Sequence, residues 1–330
     1  MKRKEYINIL IIILLLSFSY YRYINRNYSI NRTRFLMDTQ VEISITSKNK
    51  NIEQQLDKAF SIIELYDNIF SYYNPNSLLY HINNSDSLHI RINDDLYNVL
   101  VLAGDLFYKS GYLYDVTIAP LSDIWNFDDE IIPDELLIKQ AQNMVGFDRI
   151  GFTNEYIYLP EGMKINLGSI SKGYIIDKII DYFIESNILE GFVNAGGDLR
   201  FYSNDRRKWR IGIQNPRDRN SIIMSLRIPD MAVVTSGDYE RYFINNDIRY
   251  HHILNPLTGF PATPTVSVTI LSQNAFLADA LSTAAFVMNP FDAIELIKTF
   301  NDTEAVIYFY DDEGEPISLK TEGIKMYISD

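Results

Sequence analysis

Apolar and polar positions alternate with a period of two along VEISIT (41–46), which predicts a strand. QQLDKAFSIIELYDNIF (54–70) then switches to the helical period, with Leu56, Phe60, Ile63 and Ile69/Phe70 on one face. DLYNVLVLAGDLFYKSG (95–111) predicts a second helix stopped by a glycine, and the polar, aromatic loop FSYYNPNS (70–77) separates the two. From about residue 149 the pattern turns to short strands and turns: RIGF, EYIYL, GFVNAGGDLRFYS, WRIGIQNP, SIIMSLRIP and MAVVTSG, with one helix at 172–187 among them. TVSVTILS (265–272) leads into the apolar helix FLADALSTAAFVM (276–288), a further helix covers about 291–300, and EAVIYFYDDEGEPISL reads as a hairpin. Helices and strands do not alternate strictly, so the pattern predicts an α+β fold rather than a doubly wound parallel sheet.

The N-terminus departs from both periods. MKRKEYINILIIILLLSFSYYRYINRN is a basic stretch followed by a run, Ile7 to Tyr21, that is apolar on every face, with no small-x-small cleavage site after it. The segment reads as an export signal or an anchor, and the missing cleavage site favours a retained single-pass anchor over 1–28 in the cytoplasmic membrane with an exported body over 29–330. A buried N-terminal helix is the alternative, and the run is shorter than the ~20 residues of a comfortable span. Charge divides at the same place. Against a total of −13, residues 1–34 carry seven Lys/Arg and one Glu, +6, which leaves −19 on the remaining 296. So acidic a body repels phosphate backbones and argues against nucleic-acid binding; an anionic ligand would need a metal ion or backbone amides. At 330 residues and 47% hydrophobic the chain has ample core, and with no cysteine it has neither disulfides nor a thiol nucleophile. Four histidines leave little room for a histidine-rich metal site.

Five segments interrupt apolar runs with glycines, hydroxyls or acids. INLGSISKGYIID (165–177) places Gly168-Ser169 and Lys172-Gly173 at a helix start, where amides and an ammonium can meet an anion, although the spacing is neither a P-loop nor a dinucleotide fingerprint. FVNAGGDLRFYS puts Gly196-Gly197-Asp198 after an apolar strand, equally consistent with a plain hairpin turn. VVTSGDYERYF runs from a strand into a turn that a helix cap would also explain. RYHHILNPLTGFPA sets His251-His252 before a tight turn; most strand histidines are structural, but beside a phosphoryl ligand one of them would be the only neutral-pH base of the segment. In FLADALSTAAFVM, Asp279 and Thr283 share a helix face with Ser282 alongside, which suits Mg²⁺. Taken alone, that helix reads rather as an ordinary core helix with a back-bonded threonine and an aspartate in its first turn.

In order, these segments resemble the FAD:protein FMN transferase (ApbE) family. MDT (37–39), FSYYNPNS, YDVTIAPLSDIWNF (114–127), INLGSISKGYIID, FVNAGGDLR, VVTSGDYERYF, HHILNPLTGFP and SVTILSQNAFLADALSTAAFVM carry the likeness, across about residues 35–290. The resemblance implies an α+β fold of two subdomains with FAD in the cleft between them. It also implies divalent-metal-dependent transfer of FMN from FAD onto a Thr or Ser of a target redox protein, with release of AMP. Its acceptors are subunits of exported or membrane redox systems bearing a Ser/Thr flavinylation motif. Carried over by position, Met37 and Tyr73 would line the flavin, and Leu113, Tyr114, Asp115, Asn166, Lys172 and Leu254 would contact the dinucleotide. Asp279 and Thr283, with Ser282 and Ser169, would hold the metal, and His252 would deprotonate the acceptor. The chain departs from the family pattern at Leu78, Ala119, Asn255 and above all Asn166, where the family usually has Asp; an amide there still hydrogen-bonds but removes a charge beside the cofactor. The competing readings are a metal-dependent FAD pyrophosphatase, a non-catalytic exported FAD-binding protein and a tethered structural domain.

Overall fold

The structure, a computed structural model, describes residues 3–24, 26–87 and 89–329. The first residues of the basic N-terminal stretch, Met1 and Lys2, lie outside it. The apolar run forms the helix Arg3–Ile24, and none of its Tyr6–Tyr23 window is buried against the rest of the chain.

An eight-stranded sheet forms the centre. Its strands are Tyr28–Leu36, Thr39–Ser47, Glu190–Ala195, Asp198–Ser203, Ala232–Gly237, Thr265–Ser272, Glu304–Tyr310 and Pro316–Lys320, and their order in space is their order in the chain. Every pairing is antiparallel, which bears out the α+β expectation. The predicted strand 41–46 is there: Val41, Ile43 and Ile45 alternate inward with no exposure, each such burial contributing about 1.5–3 kcal/mol. The strand before it, Tyr28–Leu36, carries polar residues at most positions and shows only as the partner of its neighbour, Leu36 opposite Thr39.

One face of the sheet is covered by the helices Ile52–Phe70, Ser171–Glu185, Ala275–Val287 and Pro290–Ile297, with Asp94–Lys109 packed behind them, and this layer holds the main core. The glycine stop after 109 forms as expected: Gly111 N–H donates to Tyr108 O at 3.2 Å and Tyr112 N–H to Phe107 O at 2.8 Å, the paired bonds that close a helix C-terminus. The other face carries Phe201, Val233, Leu271 and Val306, covered by Ile213, Leu226 and Ile228 of the hairpin Trp209–Asn215/Asp218–Ile228 and by Ile324 near the C-terminus. The hairpin read at 304–319 forms as the last two strands of the sheet.

A third, smaller cluster stands apart. Leu121, Trp125, Phe127, Ile138 and Ala141, from the helices Ala119–Ile124 and Glu135–Gln142 and the loop between them, pack with Phe243 and Leu254. The short hairpin Tyr242–Asn245/Ile248–His251 lies over them, Phe243 stacking on Tyr250 at 5.3 Å. VVTSGDYERYF is therefore a sheet strand running by a turn into this hairpin, not a helix cap.

Candidate functional site

At one end of the sheet, Thr39, the Gly196-Gly197 turn and the end of Ala232–Gly237 face the N-terminus of Ser171–Glu185 and the middle of Ala275–Val287. A cleft of about 590 Å³ opens there, closed on its far side by the smaller cluster through Ile118, Trp125, Phe127 and Leu254. The double glycine is a two-residue hairpin turn, with φ of +64° and +102° at Gly196 and Gly197 and Ala195 paired to Asp198.

Contact between two helices builds the floor. A Cβ on Gly173 would lie 2.2 Å from Ala275 O and 2.7 Å from Asp279 Cβ, so only glycine permits this approach. The approach lets Gly173 N–H donate to Asp279 Oδ2 at 2.8 Å. One turn later in the same helix, Asp177 accepts from Ala275 N–H and Phe276 N–H, both at 2.9 Å, while Asn274 Oδ1 accepts from Leu277 N–H at 3.0 Å. The first-turn donors of the Asp279 helix are thus satisfied by side chains.

Asp279 is 4% exposed. Burial, and then the neighbouring Asp198, push its pKa well above the usual carboxylate range, against the pull of Lys172 and the Gly173 amide. Lys172 Nζ donates to Asp198 Oδ2 at 2.5 Å. Burial disfavours its ammonium, but Asp198 and Asp279 outweigh that and hold it charged. Two acids therefore share one cation in a buried corner, and Asp279 Oδ1 has no protein donor among the described residues. Thr283 and Ser169 border the same space, the latter with its Oγ 3.0 Å from the Tyr114 hydroxyl. No three histidines or carboxylates converge as metal ligands among the described residues. A divalent ion here would draw on one carboxylate, hydroxyls and the phosphates of its ligand, a hard-oxygen set that suits Mg²⁺ and offsets the surplus negative charge.

The two histidines separate. His251 is buried, its Nε2 2.9 Å from Ala262 O and its Nδ1 accepting from Ile253 N–H at 3.3 Å, a structural role. His252 opens into the cleft with Nδ1 3.3 Å from Arg241 O. A carbonyl only accepts, so the ring proton belongs on Nδ1 and leaves Nε2 as a base. Surrounding protein, then His251, Lys172 and Arg241, lower the His252 pKa, which keeps the ring neutral at pH 7.

Of the residues singled out from the sequence, Tyr73, Leu113, Tyr114, Asp115, Asn166, Ser169, Lys172, His252, Leu254, Asp279 and Thr283 all line the cleft. Asp115 does so with its carboxylate occupied: Oδ1 accepts from the Thr117 amide and hydroxyl, and Oδ2 from Phe147 N–H at 3.0 Å. It holds the loop whose neighbours Leu113 and Tyr114 face the ligand space. Asn166 accepts from Gly168 N–H at 2.8 Å, a turn an aspartate would make equally well. Two residues are not brought to the cleft. Ser282 is fully buried, its hydroxyl 2.7 Å from Ser236 Oγ and donating to Asp279 O at 2.8 Å; the back-bonded hydroxyl of this helix is Ser282, not Thr283. Met37 occupies the tip of the first hairpin, in an adjoining groove that shares Tyr73 with the cleft. Thr39, Asp123, Ser236 and Arg241 also line the cleft; each lies within a motif quoted from the sequence, MDT, YDVTIAPLSDIWNF or VVTSGDYERYF, but none was singled out there, and Asp198 was placed in a turn without its pairing with Lys172.

Fold and site define an α+β protein with a cleft of hard oxygens, one ammonium and one neutral imidazole between a large and a small packing unit. The chain belongs to the ApbE family, whose model matches residues 37–307. It is 29% identical over 313 residues to the FAD:protein FMN transferase of Treponema pallidum, covering 87% of this chain and 85% of that one. The FAD:protein FMN transferase of Klebsiella pneumoniae is 26% identical over 294 residues, covering 86% and 89%. Among solved structures, the ApbE protein of Thermotoga maritima superposes with a TM-score of 0.83 at 29% identity, over 92% of this chain and 100% of that one. The flavin transferase ApbE of Vibrio cholerae shares the fold, with a TM-score of 0.81 at 24% identity and the same coverage.

Proposed function

We propose that this chain is a membrane-anchored FAD:protein FMN transferase, which moves the FMN half of FAD onto a Thr or Ser hydroxyl of an acceptor protein. The observation that carries this reading is the meeting, around one cleft, of Asp279, Thr283, Ser169, Lys172 and the free Nε2 of His252. The name borne by relatives aligned over most of their length supports it. A bond forms between the acceptor oxygen and the FMN phosphorus as the bond from that phosphorus to the AMP oxygen breaks. His252 Nε2 takes the hydroxyl proton, and the Arg241 carbonyl on Nδ1 holds the ring for it. Lys172, kept charged by Asp198, supplies a fixed cation beside the departing phosphate. Asp279 Oδ1, Thr283 and Ser169 would hold Mg²⁺, which supplies charge neutralisation at the pyrophosphate when bound.

Leu113, Tyr114, Asn166 and Leu254 are assigned to the dinucleotide, Met37 and Tyr73 to its flavin end. Residues 1–28 are assigned as the anchor and 29–330 as the transferase body, held on the exported side of the cytoplasmic membrane beside acceptor subunits of redox systems. The test is to incubate the full chain in detergent with FAD, Mg²⁺ and a Thr-containing acceptor domain, following AMP release and flavin fluorescence on the denatured acceptor. Both signals, lost together on adding EDTA, are expected. AMP without a labelled acceptor would instead mark a pyrophosphatase, and FAD binding without AMP a carrier.

A further inference from the structure

Beside the cleft, which Tyr73 and Asp123 line, lies one small polar cluster that neither the chemistry above nor the family resemblance uses. Tyr72 donates its hydroxyl to both oxygens of Asp123, at 2.9 and 2.8 Å, and Lys164 Nζ lies 3.0 Å from Asp123 Oδ2. The three residues come from different segments. Tyr72 belongs to the loop after Ile52–Phe70, Asp123 to the helix Ala119–Ile124 of the smaller cluster, and Lys164 to the segment that leads into the Asn166 turn.

The Tyr72 loop is hydrogen-bonded within itself. Ser77 Oγ donates to Ser71 O at 2.5 Å, Asn74 N–H to Ser71 Oγ at 3.3 Å, and Asn74 Nδ2 to Asp67 Oδ2 at 3.1 Å. Among the described residues, the Tyr72–Asp123 pair is the only hydrogen bond that carries this loop across to the smaller cluster. What the loop carries is Tyr73, a residue 70% exposed that borders both the cleft and the adjoining groove and whose ring meets Tyr72 edge-on at 5.0 Å. So exposed a residue has little packing of its own to hold it.

We propose that Asp123, acting through Tyr72, is a positioning residue that clasps the loop beside the cleft and sets the Tyr73 ring as the platform for the isoalloxazine end of FAD. The inference rests on the transferase reading for its ligand. The Lys164 ion pair is more than a third exposed on both sides, so it contributes little, whereas the forked hydroxyl-to-carboxylate bond is the stronger tie. Losing the clasp leaves the phosphate and metal end of the site intact and frees only the flavin platform.

The test compares wild type, Tyr72→Phe, Asp123→Asn and Lys164→Met in the full chain in detergent, measuring FAD affinity, ADP affinity, KM against kcat for AMP release, and Tm. Tyr72→Phe and Asp123→Asn are expected to raise the FAD Kd and KM about three- to tenfold, with ADP affinity, kcat and Tm unchanged. Lys164→Met is expected to behave as wild type. Unchanged FAD affinity in both variants would overturn the proposal, and so would an equal loss of FAD and ADP affinity accompanied by a lower Tm, which marks a merely structural bond. Failure of the transferase reading is a separate result, read on wild type itself as AMP release without a labelled acceptor, FAD binding without AMP release, or no FAD binding.

Discussion

Asp279 shows how much one side chain owes to its surroundings. On a helical wheel it is one carboxylate near one hydroxyl; in the fold it is buried, bonded by one oxygen to Gly173 and left with the other open to the cleft. Asp279→Ala and Thr283→Ala are each expected to lower metal-dependent AMP release by about 10²–10³-fold, measured at saturating FAD, whereas Ser282→Ala is expected to leave the metal requirement unchanged. His252 gives the pH dependence. Only the neutral ring accepts a proton, and its pKa lies below the usual imidazole value of about 6.5. The rate of transfer should therefore hold from pH 8 down through 6.5 and fall only on further acidification, as the ring takes up its proton. His252→Asn is expected to lower the rate by about 10²–10⁴-fold and to abolish that acid limb while FAD still binds.

Between elements, the contact of Ser171–Glu185 with Ala275–Val287 governs the site. Gly173→Ala would drive a methyl into the Ala275 carbonyl, costing about 1–3 kcal/mol as overpacking. The urea midpoint is expected to fall, with metal-dependent activity lost along with the Asp279 geometry. Asp177 caps the partner helix, and its burial pushes the carboxyl up to about 6 against two amides and Arg200. Between the unfolded carboxylate range, about 4, and 6, the folded state holds the extra proton. This group's share of stability therefore declines as pH rises through that window. Asp177→Asn should flatten the slope in denaturation curves taken from pH 4 to 6, and Asp177→Ala should destabilise by about 1–2 kcal/mol through the lost cap.

The whole molecule combines an acidic body with an apolar N-terminal helix that buries nothing against it. A chain beginning at residue 29 is expected to leave the membrane pellet for the soluble fraction while keeping its Tm within a few degrees and its FAD affinity. An equal fall of both would show that the helix packs on the body. The cleft, too, is a property of the whole, since its walls come from segments as far apart as Thr39 and Thr283.

The elements with strong periodicity were legible in the sequence: 41–46 as a strand, 54–70 and 95–111 as helices, 265–272 leading into 276–288, and the closing hairpin. Burial on one face imposes a period, so each announces itself locally. The strand Tyr28–Leu36 and the short helices Ala119–Ile124 and Glu135–Gln142 were not legible, because edge pairing and a small separate cluster stabilise them without a long repeat. At the site, the order of glycine, hydroxyl and acid clusters singled out most of the residues that line the cleft. What only the tertiary structure decided was which of them face it. Asp115 and Ser282 are polar residues of the same motifs whose side chains are spent inside the protein, while Asp198, from a plain-looking turn, becomes the partner of Lys172. A residue's type sets what it can bond. Whether that bond is to its own chain or to a ligand depends on the direction in which packing of distant segments turns the side chain, and local pattern does not record that.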